Sequence, residues 1–451
     1  MTKNLTVGNP ALLIVSFTVP LLIGNLFQQF YNMADTFIVG RTLGVTALAA
    51  VGSTGSLMFL ILGFVMGFTS GTAIITAQRF GASDAAGVRR SFAASIVLGV
   101  LVSVFLMAAS IPFAREILLL MRTPEEIADG AYDYMIVIFW GIPVAVLFNL
   151  LSNVMRAVGD SRTPLVFLVI ACVINIILDY VFILVFHTGT EGAAYATVIA
   201  QFASGILCLV YVMKKMPILR LRREDWRFGW KELEVHAAVA LPMGFQMSII
   251  AIGTVIVQFA LNVLGTTAVA AFTAALKIDQ IATLPMSSFG VTMTTYTAQN
   301  YGARRYGRIK SGVLQCALIS GSFSVFMGIL FVFSGRFLAS LFIGADEKAV
   351  DLARVYLIIN GSFYVVLALL FIFRQTLQGL GDSLVPTLAG VMELVMRSAA
   401  ALFLPGPFGF AGICFASPLA WLGACVPLGA AFFFTSRKLH RKALAEHRQA
   451  S

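Results

Sequence analysis

Asp35 and Asp179 are acids in places where acids are costly. Asp35 stands in FQQFYNMADTFIVGR, residues 27–41, near the end of an apolar run that starts at Ala11; Asp179 stands in CVINIILDYVFIL, residues 172–184. Ionisable groups inside apolar helices usually mark ion paths, proton relays or substrate counter-charges. No Lys or Arg lies deep in the first six runs to neutralise either acid. Asn175 precedes Asp179 by four residues, which stacks the two side chains on one helix face. Thr197 and Asn149 add oxygen-bearing side chains in apolar surroundings. Two carboxylates with amide and hydroxyl neighbours make a proton or Na⁺ site, because a desolvated carboxyl holds a proton readily and hard oxygens coordinate Na⁺. These residue types do not choose between the two ions. The plainer reading is that Asp35 marks a helix end beside Arg41, and that both acids only satisfy neighbouring polar groups. We prefer the functional reading, because two acids fall at similar depth. Asp35 lies ~36 Å along its helix from Ala11 and Asp179 ~22 Å from Pro164, both in the outer half of a membrane.

The elements that carry these acids are membrane spans. The chain has 451 residues, 59% of them hydrophobic and only 12% charged. That composition fits a polytopic membrane protein. About a dozen apolar runs recur, each long enough to cross ~30 Å of hydrocarbon. We place twelve helices, at 11–39, 46–76, 89–118, 131–157, 164–187, 192–213, 235–264, 267–298, 310–342, 350–379, 385–404 and 410–436. The N-terminus, even-numbered loops and C-terminal tail carry 22 Lys and Arg against 5 in the odd loops. The positive-inside rule then puts both termini in the cytoplasm, in a plasma (inner) membrane. The net charge of +10 is spent on topology, and we expect no nucleic-acid partner. The basic segment 214–231 is expected to lie along the cytoplasmic membrane face as a solvated anchor.

The chain repeats itself. AQRFGA at 77–82 recurs as AQNYGA at 298–303, and GDSRTP at 159–164 as GDSLVP at 381–386; Pro20 pairs with Pro242 and Tyr134 with Tyr356, all at an offset of 221 or 222. The expected fold is therefore all-α: twelve transmembrane helices in two six-helix lobes related by a pseudo-twofold axis along the membrane normal. The lobes are assigned to 1–215 and 235–436, with a basic linker at 216–234 and a basic tail at 437–451. In GDS the glycine ends one helix and Asp160/Ser161 or Asp382/Ser383 cap the next; Pro164 and Pro386 fit its first turn. Both repeated loops are read as structural.

The second half differs in charge. Lys277, Asp279, Arg374, Glu393 and Arg397 lie within its helices, and Glu393 and Arg397 are spaced for an ion pair on one face. Arg397 occupies the repeat position of Asn175. Coupling chemistry is therefore assigned to the first half. Gly63, Gly67 and Gly71 on the second helix are read as a close-packing face, and Pro20 and Pro242 as bends and hinge candidates. The five cysteines sit in apolar runs without a CxxC, and the four histidines form no HxxxH, so no disulfide, metal centre or catalytic constellation is expected.

Together, FYNMADTFIVGRTLG, the two repeated loops and the Asn-xxx-Asp of helix 5 resemble the multidrug and toxic compound extrusion family over residues 10–436, in the prokaryotic branch of the DinF and MepA-like pumps. The resemblance implies two six-helix lobes around a V-shaped cleft and antiport of organic, often cationic, compounds against H⁺ or Na⁺, by a monomer without a cofactor. It implies that Asp35, Asn175, Asp179, Thr197 and, less directly, Asn149 form the cation-coupling site. We place Gln28, Tyr31, Tyr134, Trp140 and Arg397 at the substrate cavity, with membrane lipid around. The NorM-like branch also uses acids on helices 7 and 10; here helix 7 has none and helix 10 only Asp351 at its outer end, which favours the first-lobe mechanism. A lipid-linked oligosaccharide flippase of related fold is the alternative, kept open by Arg374 and Arg397. An integral membrane enzyme lacks the side chains it would need.

Overall fold

Apolar runs of this length have nowhere to satisfy their backbone except within themselves, so they fold as helices. The computed structural model describes residues 4–344 and 346–450, the side chains of 443–450 excepted. Of the cations counted for orientation, Lys3 lies outside the described residues and the Arg448 side chain is among those excepted. The helices are α1 (Pro10–Thr42), α2 (Val45–Gly81), α3 (Ala85–Ser110), α4 (Ala114–Leu120), α5 (Glu125–Trp140), α6 (Ile142–Ala157), α7 (Arg162–Tyr180), α8 (Thr190–Lys215), α9 (Trp230–Asn262), α10 (Thr266–Gly302), α11 (Tyr306–Ile343), α12 (Glu347–Ser362), α13 (Tyr364–Gly379), α14 (Leu384–Phe403), α15 (Pro405–Cys414) and α16 (Ala416–Ala450). There is no strand among the described residues.

Nine of these helices are long and apolar enough to cross a membrane, and eleven spans result when α5 with α6 and α12 with α13 each count as one. The 37-residue α10, rich in Thr and Ser and carrying Lys277 and Asp279, is a further element of spanning length. The chain is thus an all-α, multi-pass membrane protein. Two expected spans are broken. Helix 4 bends by 49° at Gly141, and helix 10 by 50° at Phe363. Helix 3 stops at Ser110, and the short α4 follows.

The repeated loops have the local structure expected of them. Gly159 and Gly381 take φ values of 88° and 90°, the left-handed conformation that ends a helix. Asp160 then accepts from the N–H groups of Arg162 and Thr163 at 3.1 and 3.0 Å, and Asp382 from Val385 at 3.3 Å. The two AQxxGA stretches close α2 and α10 in the same way, each followed by a left-handed residue, Ser83 or Arg304.

The helices cluster into two units, one holding Ile23–Ser248 and the other Asn4–Leu22 with Ile249–Ser451. Each unit thus includes part of α1 and part of α9. In the first unit, α2 packs on the early turns of α9 with no room for side chains. A Cβ on Gly67 would lie 2.3 Å from the Met243 carbonyl oxygen, and one on Gly71 2.5 Å from the Ala240 Cα; at Gly63 the contact is an ordinary 3.7 Å. Arg79 of AQRFGA donates to Glu232 at the start of α9 at 2.9 Å. Ser91 bonds the buried His236 ring at 2.7 Å. The 216–234 segment is more than a solvated anchor: Leu219 is buried, and Asp225 pairs with Arg89 of α3 at 3.0 Å.

In the second unit, AQNYGA holds the N-terminal segment. Gln299 accepts from the Leu5 N–H at 2.9 Å, and Asn300 donates to the Leu5 carbonyl at 3.3 Å. Thr18 of α1 bonds Thr292 of α10 at 2.7 Å. The apolar core of this unit gathers around Phe331, Tyr356, Tyr364 and Trp421.

Candidate functional site in the first unit

Three elements converge on the acids. α1 brings Tyr31 and Asp35 one turn apart, α7 brings Asn175 and Asp179 one turn apart, and α8 brings Thr197. The carboxyls of Asp35 and Asp179 are direct neighbours. Asp179 and Asn175 are wholly buried. The Asn175 amide, with its nitrogen toward Asp179, donates to Oδ2 at 3.0 Å, and its oxygen accepts from the Thr197 N–H at 3.1 Å. The opposite orientation would set the nitrogen 3.3 Å from the Thr197 hydroxyl and leave the carboxylate without that donor. The pattern of donors and acceptors selects the first. The Thr197 and Tyr31 hydroxyls bond each other at 3.2 Å.

Tyr134 of α5 lies in the same buried neighbourhood as both acids. The sequence assigns it to the substrate cavity; its nearness to the acids is invisible there, because a 3.6-residue period does not reveal which distant helix a face meets. Oδ1 of Asp35 and Oδ1 of Asp179 have no hydrogen-bond partner, and among the described residues no basic side chain bonds either carboxyl. An apolar group of Ile38, Val39, Ile183 and Ala193 packs beside Tyr134. Asp179 is followed at once by a π-helical turn, Val181–Val185. Such turns widen a helix and free backbone groups near functional residues.

A small cavity adjoins the acids, lined by Gln28, Tyr31, Thr197, Phe148, Leu168 and Gln201 among others. Tyr31 and Thr197 thus belong to both the cavity wall and the acid cluster. The other expected site residues lie elsewhere. Asn149 turns its amide back onto the Ala145 carbonyl of its own helix at 2.9 Å. Trp140 is 62% exposed at the end of α5. Arg397 is in the second unit, ion-paired to Glu393 at 2.8 Å, and Glu393 in turn holds Arg374 at 2.6 Å. That second pairing has no sequence signal, because Arg374 and Glu393 are on different helices. Pro20 and Pro242 lie inside continuous helices. Among the described residues no group of three or more His, Cys, Asp or Glu is arranged to hold a metal ion.

A bundle of apolar spans with a buried acid pair beside a cavity defines a class, the membrane transporters, and comparison with known proteins gives the family. The model of the MatE family matches twice, at residues 20–181 and 242–403. The chain belongs to this multidrug and toxic compound extrusion family, whose members are transporters and not enzymes. It is similar to the probable multidrug resistance protein YpnP of Bacillus subtilis, at 30% identity over 96% of this chain and 94% of that one. It is also similar to an FAD transporter of Shewanella oneidensis, at 25% identity over 86% and 87% of the two chains. A solved outward-facing multidrug resistance transporter of the family shares the fold, with a TM-score of 0.90 and 22% identity over 97% of this chain and 99% of that one.

Proposed function

We propose that this chain is a cation-coupled antiporter that exports organic, often cationic, compounds from the cytoplasm by alternating access, with H⁺ or Na⁺ as the coupling ion. The observation that carries the reading is the Asp35–Asp179 pair: two touching carboxyls, set among neutral donors, with an unfilled oxygen on each. Two like charges this close favour taking up a cation between them, either one proton shared or Na⁺ held with the Asn175 and Thr197 oxygens.

Coupling to substrate follows from shared residues. Tyr31 and Thr197 bond each other and line the cavity. A cation at the acids changes the set of their neighbours, and with it the wall a substrate touches. If the cation lowers substrate affinity, substrate lowers cation affinity by the same factor, as reciprocal linkage requires. In the cycle, the outward-facing site takes a cation and releases substrate; the cation-loaded protein turns inward and exchanges its cation for new substrate. The expected membrane is the plasma membrane, with both termini cytoplasmic and the chain acting as a monomer without a cofactor.

Ethidium efflux from proteoliposomes under an imposed pH or Na⁺ gradient tests this. One gradient drives efflux in the wild type and so names the ion, and Asp35→Asn loses most of that drive while still binding dye. An Asp35→Asn protein that pumps like the wild type refutes the assignment. The flippase reading would need free cations for a pyrophosphate, and Arg374 and Arg397 are engaged by Glu393. It moves to first place if neither gradient moves dye.

A further inference from the structure

The second unit contains its own buried acid, which the coupling site above does not use. Asp279 of α10 is 8% exposed, whereas Lys277, two residues before it, is exposed. The Tyr364 hydroxyl donates to Asp279 Oδ1 at 2.6 Å, and the Tyr356 hydroxyl is its second neighbour. Both partners are neutral. Arg397 lies in the neighbourhood of Tyr356, and it is tied through Glu393 to Arg374. The ladder of two guanidiniums and one carboxylate carries a net positive charge.

The groups facing Asp279 can be named helix by helix. They are Tyr356 from α12, Tyr364 from α13, Arg397 of α14 acting across Tyr356, and the Cys414 thiol of α15, also at Tyr356. No second acid touches Asp279 among the described residues. The internal repeat makes the arrangement informative. Tyr356 occupies the repeat position of Tyr134, the tyrosine beside Asp35 and Asp179. Arg397 occupies that of Asn175, while Val257 and Ala401 stand where Asp35 and Asp179 would be. Each unit therefore has a buried carboxyl in the neighbourhood of the same tyrosine. In the second unit that carboxyl comes from α10, and a cation replaces the amide.

We propose that Asp279 is a second proton-binding site, separate from Asp35 and Asp179, which takes up one proton from water and becomes a neutral carboxylic acid. A proton is the ligand this site suits. The phenols already occupy the carboxylate with O–H donors, and its named neighbours offer no set of free oxygens to coordinate Na⁺. On protonation one of the two phenol hydroxyls must turn, because the acid's own O–H takes one oxygen while the other still accepts a donor, and the unit loses one negative charge. Loss of that charge disfavours an organic cation in this unit and favours its release, the sense that export by antiport requires. This consequence rests on the antiport reading; the proton site does not.

The test is infrared titration of the carboxyl C=O band in the purified full-length protein, together with a count of protons exchanged per ethidium bound. The probes are the wild type, Asp279→Asn, Tyr364→Phe and Asp35→Asn. We expect Asp279→Asn to delete one titrating carboxyl and lower the proton count, with the melting temperature retained and dye binding weakened, because the amide is neutral like the protonated acid. Tyr364→Phe keeps the acid, so it should keep the band and displace its titration midpoint; this variant carries the test should Asp279→Asn fail to fold. A band and count unchanged in Asp279→Asn, or a midpoint unmoved in Tyr364→Phe, overturns the proposal. If instead Asp35→Asn keeps full gradient drive while Asp279→Asn loses its band, the proton site stands and the first-unit coupling reading fails.

Discussion

Two carboxyls that touch inside a helix bundle raise each other's cost of ionisation, and the protein has done little to relieve it. Asn175 supplies one donor to Asp179, and no basic side chain among the described residues bonds either acid. The second unit has solved the same problem in the opposite way, with Glu393 satisfied by two guanidiniums. The two clusters should respond differently to mutation. Removing the carboxylate in Glu393→Gln leaves two buried cations facing each other, and breaking a buried pair from one side costs about 3–5 kcal/mol; the melting temperature in detergent should drop markedly and recover in part in Glu393→Gln with Arg374→Gln. Asp179→Asn removes a repulsion instead, so its melting temperature should hold or rise. At Thr197, the change to Val deletes the hydroxyl that Tyr31 meets while leaving the backbone N–H for Asn175. Loss of one neutral hydrogen bond is worth about 0.5–1.5 kcal/mol, so a dye titration should show affinity weakened by a few fold. Of the residue-scale site, the acids and the Asn175–Asp179 stacking are legible in spacing alone. Tyr134 beside the carboxyls and Arg374 beside Glu393 are not, since side-chain periodicity fixes a face but not the helix it meets.

Elements obey hydropathy where they are straight and escape it where they break. The long runs are helices, as their length and composition demand, and the glycine ladder on α2 packs as such ladders do. The break at Gly141 falls two residues before Pro143 in the first turn of α6, and the break at Phe363 follows Asn360-Gly361-Ser362, so both stand at Gly, Pro or Ser signals that a reading of single spans passes over. The small residues of α2 give the sharpest element-scale test. A side chain at position 71 meets backbone atoms of α9, which cannot swing aside as a side-chain tip would. Gly71→Leu should therefore lower the melting temperature and the folded yield, and Gly63→Ala, where the added Cβ finds an ordinary contact, should leave both close to wild type.

Over the whole molecule, one duplicated plan carries two chemistries. The family match falls twice at the same offset as the repeated loops, so the duplication is legible in the chain's own residues. What the repeat does not reveal is how each unit is composed: the first ends within α9, at Ser248, and the second includes the first turns of α1. Contacts made by the repeated motifs account for this, with Arg79 holding the start of α9 and Gln299 and Asn300 holding the segment before α1. Arg79→Gln should then weaken the contact between α2 and the start of α9 and speed proteolysis in the 216–234 segment, with dye binding unchanged. The central claim is that Asp35 and Asp179 bind a cation in competition with substrate. Its most direct test is equilibrium ethidium binding to the purified protein across pH, with and without Na⁺, in the wild type, Asp35→Asn and Asp179→Asn. The account predicts that one of the two cations weakens dye binding in the wild type and that this dependence shrinks in each variant. Full dependence persisting in both variants would contradict it.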